Sequence, residues 1–172
     1  MNLQDKSYSL WLRPSQTQID ELTKIISMLS HRHCGKIFPP HMTLLSDIRA
    51  DCQTIASVCE QIIESHPTFS IKLEDIAFTD KYYRNLYIQS KREKTLMNIY
   101  DKIKLHLEHD PSEVYSPHVS LLYGNLDTKK QQQLSEKLSN SYPKFFHCQR
   151  LDLYNTAGKE SEWHLIKSYY FI

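Results

Sequence analysis

Glycine is scarce, with only three residues in 172. That excludes the glycine-rich loops with which P-loop and dinucleotide-binding proteins cradle phosphates. The four cysteines (Cys34, Cys52, Cys59 and Cys148) never fall in CxxC spacing. Neither charge sign prevails: the formal net charge is +1, which argues against a dedicated duplex-binding surface but leaves room for a local basic cleft. No run of about 18 apolar residues exists, so no membrane span is expected. The opening Met1-Asn2-Leu3-Gln4-Asp5-Lys6 has no apolar core, so no signal peptide is expected either. Together these absences point to a cytoplasmic protein with reduced thiols.

What is present describes an ordinary globular chain, 40% hydrophobic and 24% charged. The length suits one core, so residues 1–172 are read as a single domain built of two small fused lobes. Ser7 to Leu12 alternates like a strand and stops at Pro14. Ser15 offers an N-cap for a helix using Ile19, Leu22, Ile25, Ile26 and Leu29, with Gly35 as its stop. A strand is expected at Met42 to Ile48, then a helix opened by Asp51 and closed by Pro67. Phe69 to Leu73 begins a strand that returns at Asn85 to Gln89, with its turn near Asp80-Lys81. A helix follows over Arg92 to Glu108, broken at Asp110-Pro111. Thr128 resembles the start of a capping box for a helix to Asn140. Closing strands are expected at Lys144 to Tyr154 and Trp163 to Ile172.

One stretch occurs twice. Phe38-Pro39-Pro40-His41-Met42-Thr43-Leu44-Leu45 aligns without gaps on Tyr115-Ser116-Pro117-His118-Val119-Ser120-Leu121-Leu122. In a strand, side chains at i and i+2 share a face, so each copy aims an imidazole and a hydroxyl at one point. The two histidines are 77 residues apart, which fits a duplicated α+β lobe. Opening a cyclic phosphodiester needs a base for water, an acid for the departing oxygen and donors for the charged oxygens. Histidine suits both proton roles near neutrality. The Thr43 and Ser120 hydroxyls can hold the phosphoryl oxygens. No metal or cofactor is required.

On these residues the chain resembles the two-histidine (2H) phosphoesterases, and within them the cyclic phosphodiesterases of plant and fungal type. The stretches that carry the likeness are Tyr8 to Pro14, Phe38 to Thr43, Pro117 to Tyr123, and Glu162-Trp163. The resemblance implies a bilobal α+β fold, two pseudo-symmetric lobes whose antiparallel sheets face a central cleft with helices outside. It implies hydrolysis of nucleoside 2′,3′-cyclic phosphates, or of ADP-ribose 1″,2″-cyclic phosphate, within RNA and tRNA-splicing metabolism. His41 becomes the general acid and His118 the base. Thr43 and Ser120 match the phosphate-holding positions, and Tyr123 a substrate position. Strand parity puts Tyr123 on the wrong face unless a bulge or the strand's end turns it.

The expected partner is a small cyclic nucleotide, with RNA ends bearing 2′,3′-cyclic phosphate or 2′,5′-oligoadenylates as the alternative. A binding module without turnover is the rival of another class. No membrane partner is expected, and a monomer is. Trp11 and Tyr8 are read as core rather than a base-stacking platform. His31, His33 and Cys34 lack a fourth metal ligand at useful spacing. His106 and His109 suit a helix C-terminus. Lys81, Arg84, Lys91 and Arg92 either meet an anionic substrate or are simply solvated.

Overall fold

The computed structural model describes residues 7–109 and 114–172, so the expected break at Asp110-Pro111 lies outside the described residues. Eight strands, β1 (Tyr8–Arg13), β2 (Met42–Ile48), β3 (Phe69–Phe78), β4 (Leu86–Ser90), β5 (His118–Leu122), β6 (Phe145–Cys148), β7 (Arg150–Asn155) and β8 (His164–Tyr170), form one curled antiparallel sheet. Four helices accompany it: α1 (Gln16–His33), α2 (Cys52–Glu64), α3 (Lys94–His106) and α4 (Thr128–Leu138).

The sheet order is β6-β3-β4-β5-β2-β1-β7-β8. The two motif strands, β5 and β2, therefore lie side by side at the centre, joined at the registered pair Met42↔Val119. On one side runs β2-β1-β7-β8, on the other β5-β4-β3-β6, and both halves contain a strand-helix-motif strand-helix unit. The registers agree as well: Trp11 pairs with Thr43, and Tyr87 with Ser120. The α+β fold thus has the two expected lobes, with their sheets merged edge to edge. Each crossover helix reaches across the waist, α1 against β5 and α3 against β2.

Alternation decides which face does what. Met42, Leu44, Val119 and Leu121 are essentially fully buried, and the residues between them turn the other way. Each such apolar side chain contributes about 1.5–3 kcal/mol on burial, so a one-residue slip of either strand would put these side chains in the cleft.

Three local expectations need correction. Helix α1 ends with Cys34, not Gly35, in the left-handed conformation at φ 53°. Gly35 serves instead by its size, since a Cβ there would sit 2.7 Å from both Leu122 Cδ1 and the Tyr123 carbonyl oxygen. The N-cap of α4 is Asp127 rather than Thr128, its carboxylate accepting from the Lys130 N–H. The strand expected over 144–154 is two strands, parted at Gln149: β6 pairs with β3 in one half, β7 with β1 in the other.

Candidate active site

The two motif strands present their polar residues to one cavity of about 380 Å³, lined among others by His41, Thr43, His118, Ser120 and Tyr123. Both imidazoles are oriented in the same way. His41 Nδ1 lies 2.6 Å from the Pro39 carbonyl oxygen, and His118 Nδ1 lies 2.9 Å from that of Ser116. A carbonyl only accepts, so the proton must sit on Nδ1 of each ring. Nε2 is then the nitrogen left for a substrate in the cavity.

Burial dominates the electrostatics of both rings. It pushes His41 down to about 3, opposed by the Pro39 hydrogen bond and reinforced by the Arg13 guanidinium and by His118. His118 is pushed down to about 4, again mainly by burial, with the Ser116 carbonyl opposing and Arg84 reinforcing. Both rings are neutral at pH 7. An anionic phosphate between them favours the protonated form and raises these values.

The surroundings of the rings differ. His41 stacks on Trp11 with centroids 3.8 Å apart, and Trp11 stacks on Tyr154 at the same distance. With both faces of the indole covered, Trp11 is packing and not a platform for a base, and Tyr8 is buried in the core. Behind the stack, Asp152 is fully buried between Arg13 and Arg150, and Ser168 donates to it at 2.6 Å. His118 instead meets the edge-on ring of Tyr87, 5.2 Å between centroids. Arg84 lies over that same Tyr87 ring, 4.3 Å from its centre.

The hydroxyls are also unequal. Thr43 is half-buried and lines the cavity. Ser120 Oγ donates to the Tyr83 carbonyl at 2.8 Å, so turning it to a phosphate exchanges one acceptor for another. Tyr123 lies one residue beyond β5, bridged to Lys36 and stacked on Phe38 at 3.6 Å. The register slips by one residue in β5, where Leu86 pairs with Leu122 but its neighbour Tyr87 with Ser120, and Tyr123, just past this bulge, reaches the cavity.

Of the four cations flagged in the sequence, Lys81 and Arg84 line this cavity, while Lys91 and Arg92 line a separate recess. Ser9, Ser46, Asp47, Tyr83 and Trp163 line it too. Asp47 does so from a left-handed backbone at φ 55° on β2. His31 Nδ1 turns back to the Ser27 carbonyl of its own helix, and His106 Nδ1 to that of Lys102 in the last turn of α3.

A family model described as cyclic phosphodiesterase-like protein matches residues 6–171. The chain belongs to the cyclic phosphodiesterase-like family. It is accordingly a hydrolase acting on cyclic phosphodiester bonds. A cyclic phosphodiesterase of Arabidopsis thaliana is 19% identical over 130 residues, 76% of this chain and 72% of that protein. Among solved structures, TT0787 of Thermus thermophilus superposes with a TM-score of 0.66 at 9% identity, covering 96% of this chain and 97% of the other. Escherichia coli LigT, solved with 3′-AMP, gives 0.64 at 11% identity, covering 96% and 98%. These likenesses show that the curled sheet and its helices form the same fold as TT0787 and LigT.

Membership of the cyclic phosphodiesterase-like family is carried in the sequence by motifs. Tyr83, Ser46 and Asp47 carry no such signal, because they reach the cavity through the turn over Tyr82–Arg84 and the left-handed backbone at Asp47. The pairing of Arg13 with Asp152 is equally silent, although Arg13 lies in one of the stretches that carry the likeness: a buried ion pair is made by cross-strand register, not by spacing along the chain.

Proposed function

We propose that the protein hydrolyses ADP-ribose 1″,2″-cyclic phosphate, nucleoside 2′,3′-cyclic phosphates, or both, to phosphomonoesters by acid-base catalysis from His41 and His118. The observation that carries this reading is the matched presentation of the two rings, each with Nδ1–H tied to the carbonyl two residues before it and Nε2 turned to one cavity. A cyclic phosphate between them has a neutral imidazole on the side of the incoming water and a protonated one on the side of the leaving oxygen. His118 takes the water's proton as the P–O bond to water forms. His41 gives its proton to the ribose oxygen as the ring P–O bond breaks. That division follows the family resemblance. Thr43 and Ser120 donate to the non-bridging oxygens, and Tyr123 borders the sugar side.

Every requirement of the reaction is met by protons and hydrogen-bond donors, so the proposal needs no metal and no organic cofactor. Phosphorus NMR with EDTA present, on both substrates in parallel, tests it. Metal-free appearance of monoester from either is the expected result. Persistence of both cyclic diesters over days, with folded protein, would overturn it.

A further inference from the structure

Two smaller recesses flank the main cavity, one at each end of the paired motif strands. The first, about 230 Å³, is lined by Phe38, Pro39, Tyr123 and Trp163, with Lys36 and Glu160 as its charged residues. The second, about 190 Å³, is lined by Tyr115, Ser116, Thr43, Ser46, Arg84 and His118. Their positions correspond under the repeat, since Phe38 aligns with Tyr115 and Pro39 with Ser116. Their chemistry does not. One sets charges of both signs, Lys36 and Glu160, among aromatic rings, and the other holds a guanidinium with no carboxylate in its lining.

Arg84 is set there by neutral groups. Its Nη2 donates to Ser116 Oγ at 2.7 Å, and its guanidinium carbon sits 4.3 Å from the centre of the Tyr87 ring. Its Nε is buried and has no acceptor among the described residues. A guanidinium held in place this way keeps its charge and part of its donor fork for something else, and anions such as carboxylate and phosphate match that fork best. Ser116 ties the arginine to the chemistry, because its carbonyl orients His118 while its hydroxyl receives Arg84. Beyond Ser116 the surface continues into an open recess lined by Lys91 and Arg92, with Glu74 as its one acidic residue among the described residues.

We propose that Arg84 and Ser116 form a second anion subsite, which binds a phosphate group of the substrate lying across one ribose from the cyclic phosphate. The inference rests on the cyclic phosphate binding between His41 and His118, as proposed above. Ser116 is two residues from His118 in extended chain, roughly 7 Å, the span that a sugar ring bridges. The favoured substrate class is a cyclic phosphodiester that carries a further phosphate or pyrophosphate, rather than an unphosphorylated nucleoside cyclic phosphate. On the equivalent side of the repeat, the recess that holds Lys36 also carries the Glu160 carboxylate, which opposes a second anion, whereas no carboxylate lines the recess of Arg84, so the subsite also fixes which way round a substrate lies in a nearly symmetric cavity.

The test compares adenosine 2′,3′-cyclic phosphate with its 5′-phosphorylated form. Wild-type protein should prefer the phosphorylated compound by tenfold or more in kcat/KM, chiefly through KM. Arg84→Gln should remove that preference, and Arg84→Lys should keep part of it. Calorimetric titration with 2′-AMP and with adenosine 2′,5′-bisphosphate gives a readout independent of turnover. The bisphosphate should bind about tenfold tighter to wild type and equally to the Arg84→Gln protein. Equal affinities and equal kcat/KM in wild type, or a preference that survives Arg84→Gln, would overturn the subsite. Failure to turn over either cyclic compound, with the bisphosphate preference intact, would instead count against the catalytic reading and leave the subsite standing.

Discussion

The half of the molecule around His41 and the half around His118 share a register, a helix order and an imidazole held by the carbonyl two residues back. They part company in what stands behind each ring. His41 is clamped face to face in an aromatic stack backed by the buried Arg13–Asp152 pair. His118 meets an aromatic edge, and its arginine lies at the cavity itself. On the proposed mechanism, what the halves share is what proton transfer needs. What they do not share then gives the site a direction, since a symmetric phosphate between two equivalent imidazoles would have no preferred leaving oxygen.

The strongest way to test that comparison is to remove each ring. His41→Ala and His118→Ala should each lower kcat/KM by about 10²–10⁴-fold with circular dichroism unchanged. The double variant should lose little more than either single one, because in the proposed mechanism the rings act as a unit. A variant of either histidine with near-normal turnover would break the pairing. Next comes the stack: Trp11→Ala should cost about 3–5 kcal/mol in chemical denaturation. The matching Tyr87→Phe change, which keeps the ring over His118, should stay within about 0.5 kcal/mol.

Acid separates activity from stability. Both histidines titrate lower in the folded chain, near 3 and 4, than the 6.5 of an exposed imidazole. Between those values the unfolded chain binds more protons, so their contribution to stability is complete above about pH 6.5 and is lost as pH falls toward 4 and then 3. Thermal midpoints should therefore fall below pH 6.5. Over the same range kcat/KM should rise, because the singly protonated free enzyme becomes more abundant. A kcat/KM maximum at pH 7 or above would contradict the depressed free-enzyme values. The smallest effect sits at the helix caps, Asp51 and Asp127, which stand 76 residues apart. Asp51 accepts from two backbone N–H groups and Asp127 from one. Asp51→Ala should cost about 1 kcal/mol and Asp127→Ala less, read from denaturation midpoints.

The sequence exposed the features that are local. The His-x-Thr/Ser repeat, the β2 boundaries and the Asp51 cap all depend on residues a few positions apart, and the structure has them where the pattern put them. The division at Gln149 shows in the sequence only as a change of phase, from the buried Phe146 and Cys148 to the buried Leu151 and Leu153, and nothing local tells that the two pieces pair in opposite halves of the sheet. Arg84 was visible as a charge but not as a cavity residue. The turn over Tyr82–Arg84 that brings it beside His118 is fixed by tertiary contacts such as the Ser120 to Tyr83 hydrogen bond.

Each imidazole takes its orientation from a main-chain oxygen within its own tripeptide. No side chain elsewhere among the described residues plays the part that an aspartate plays in a serine-protease triad. The orienting group thus cannot be deleted by substitution, and a mutational scan for a third member of the constellation will return nothing. It also makes the unit portable: when a strand carrying such a motif is duplicated, the copy arrives already aimed.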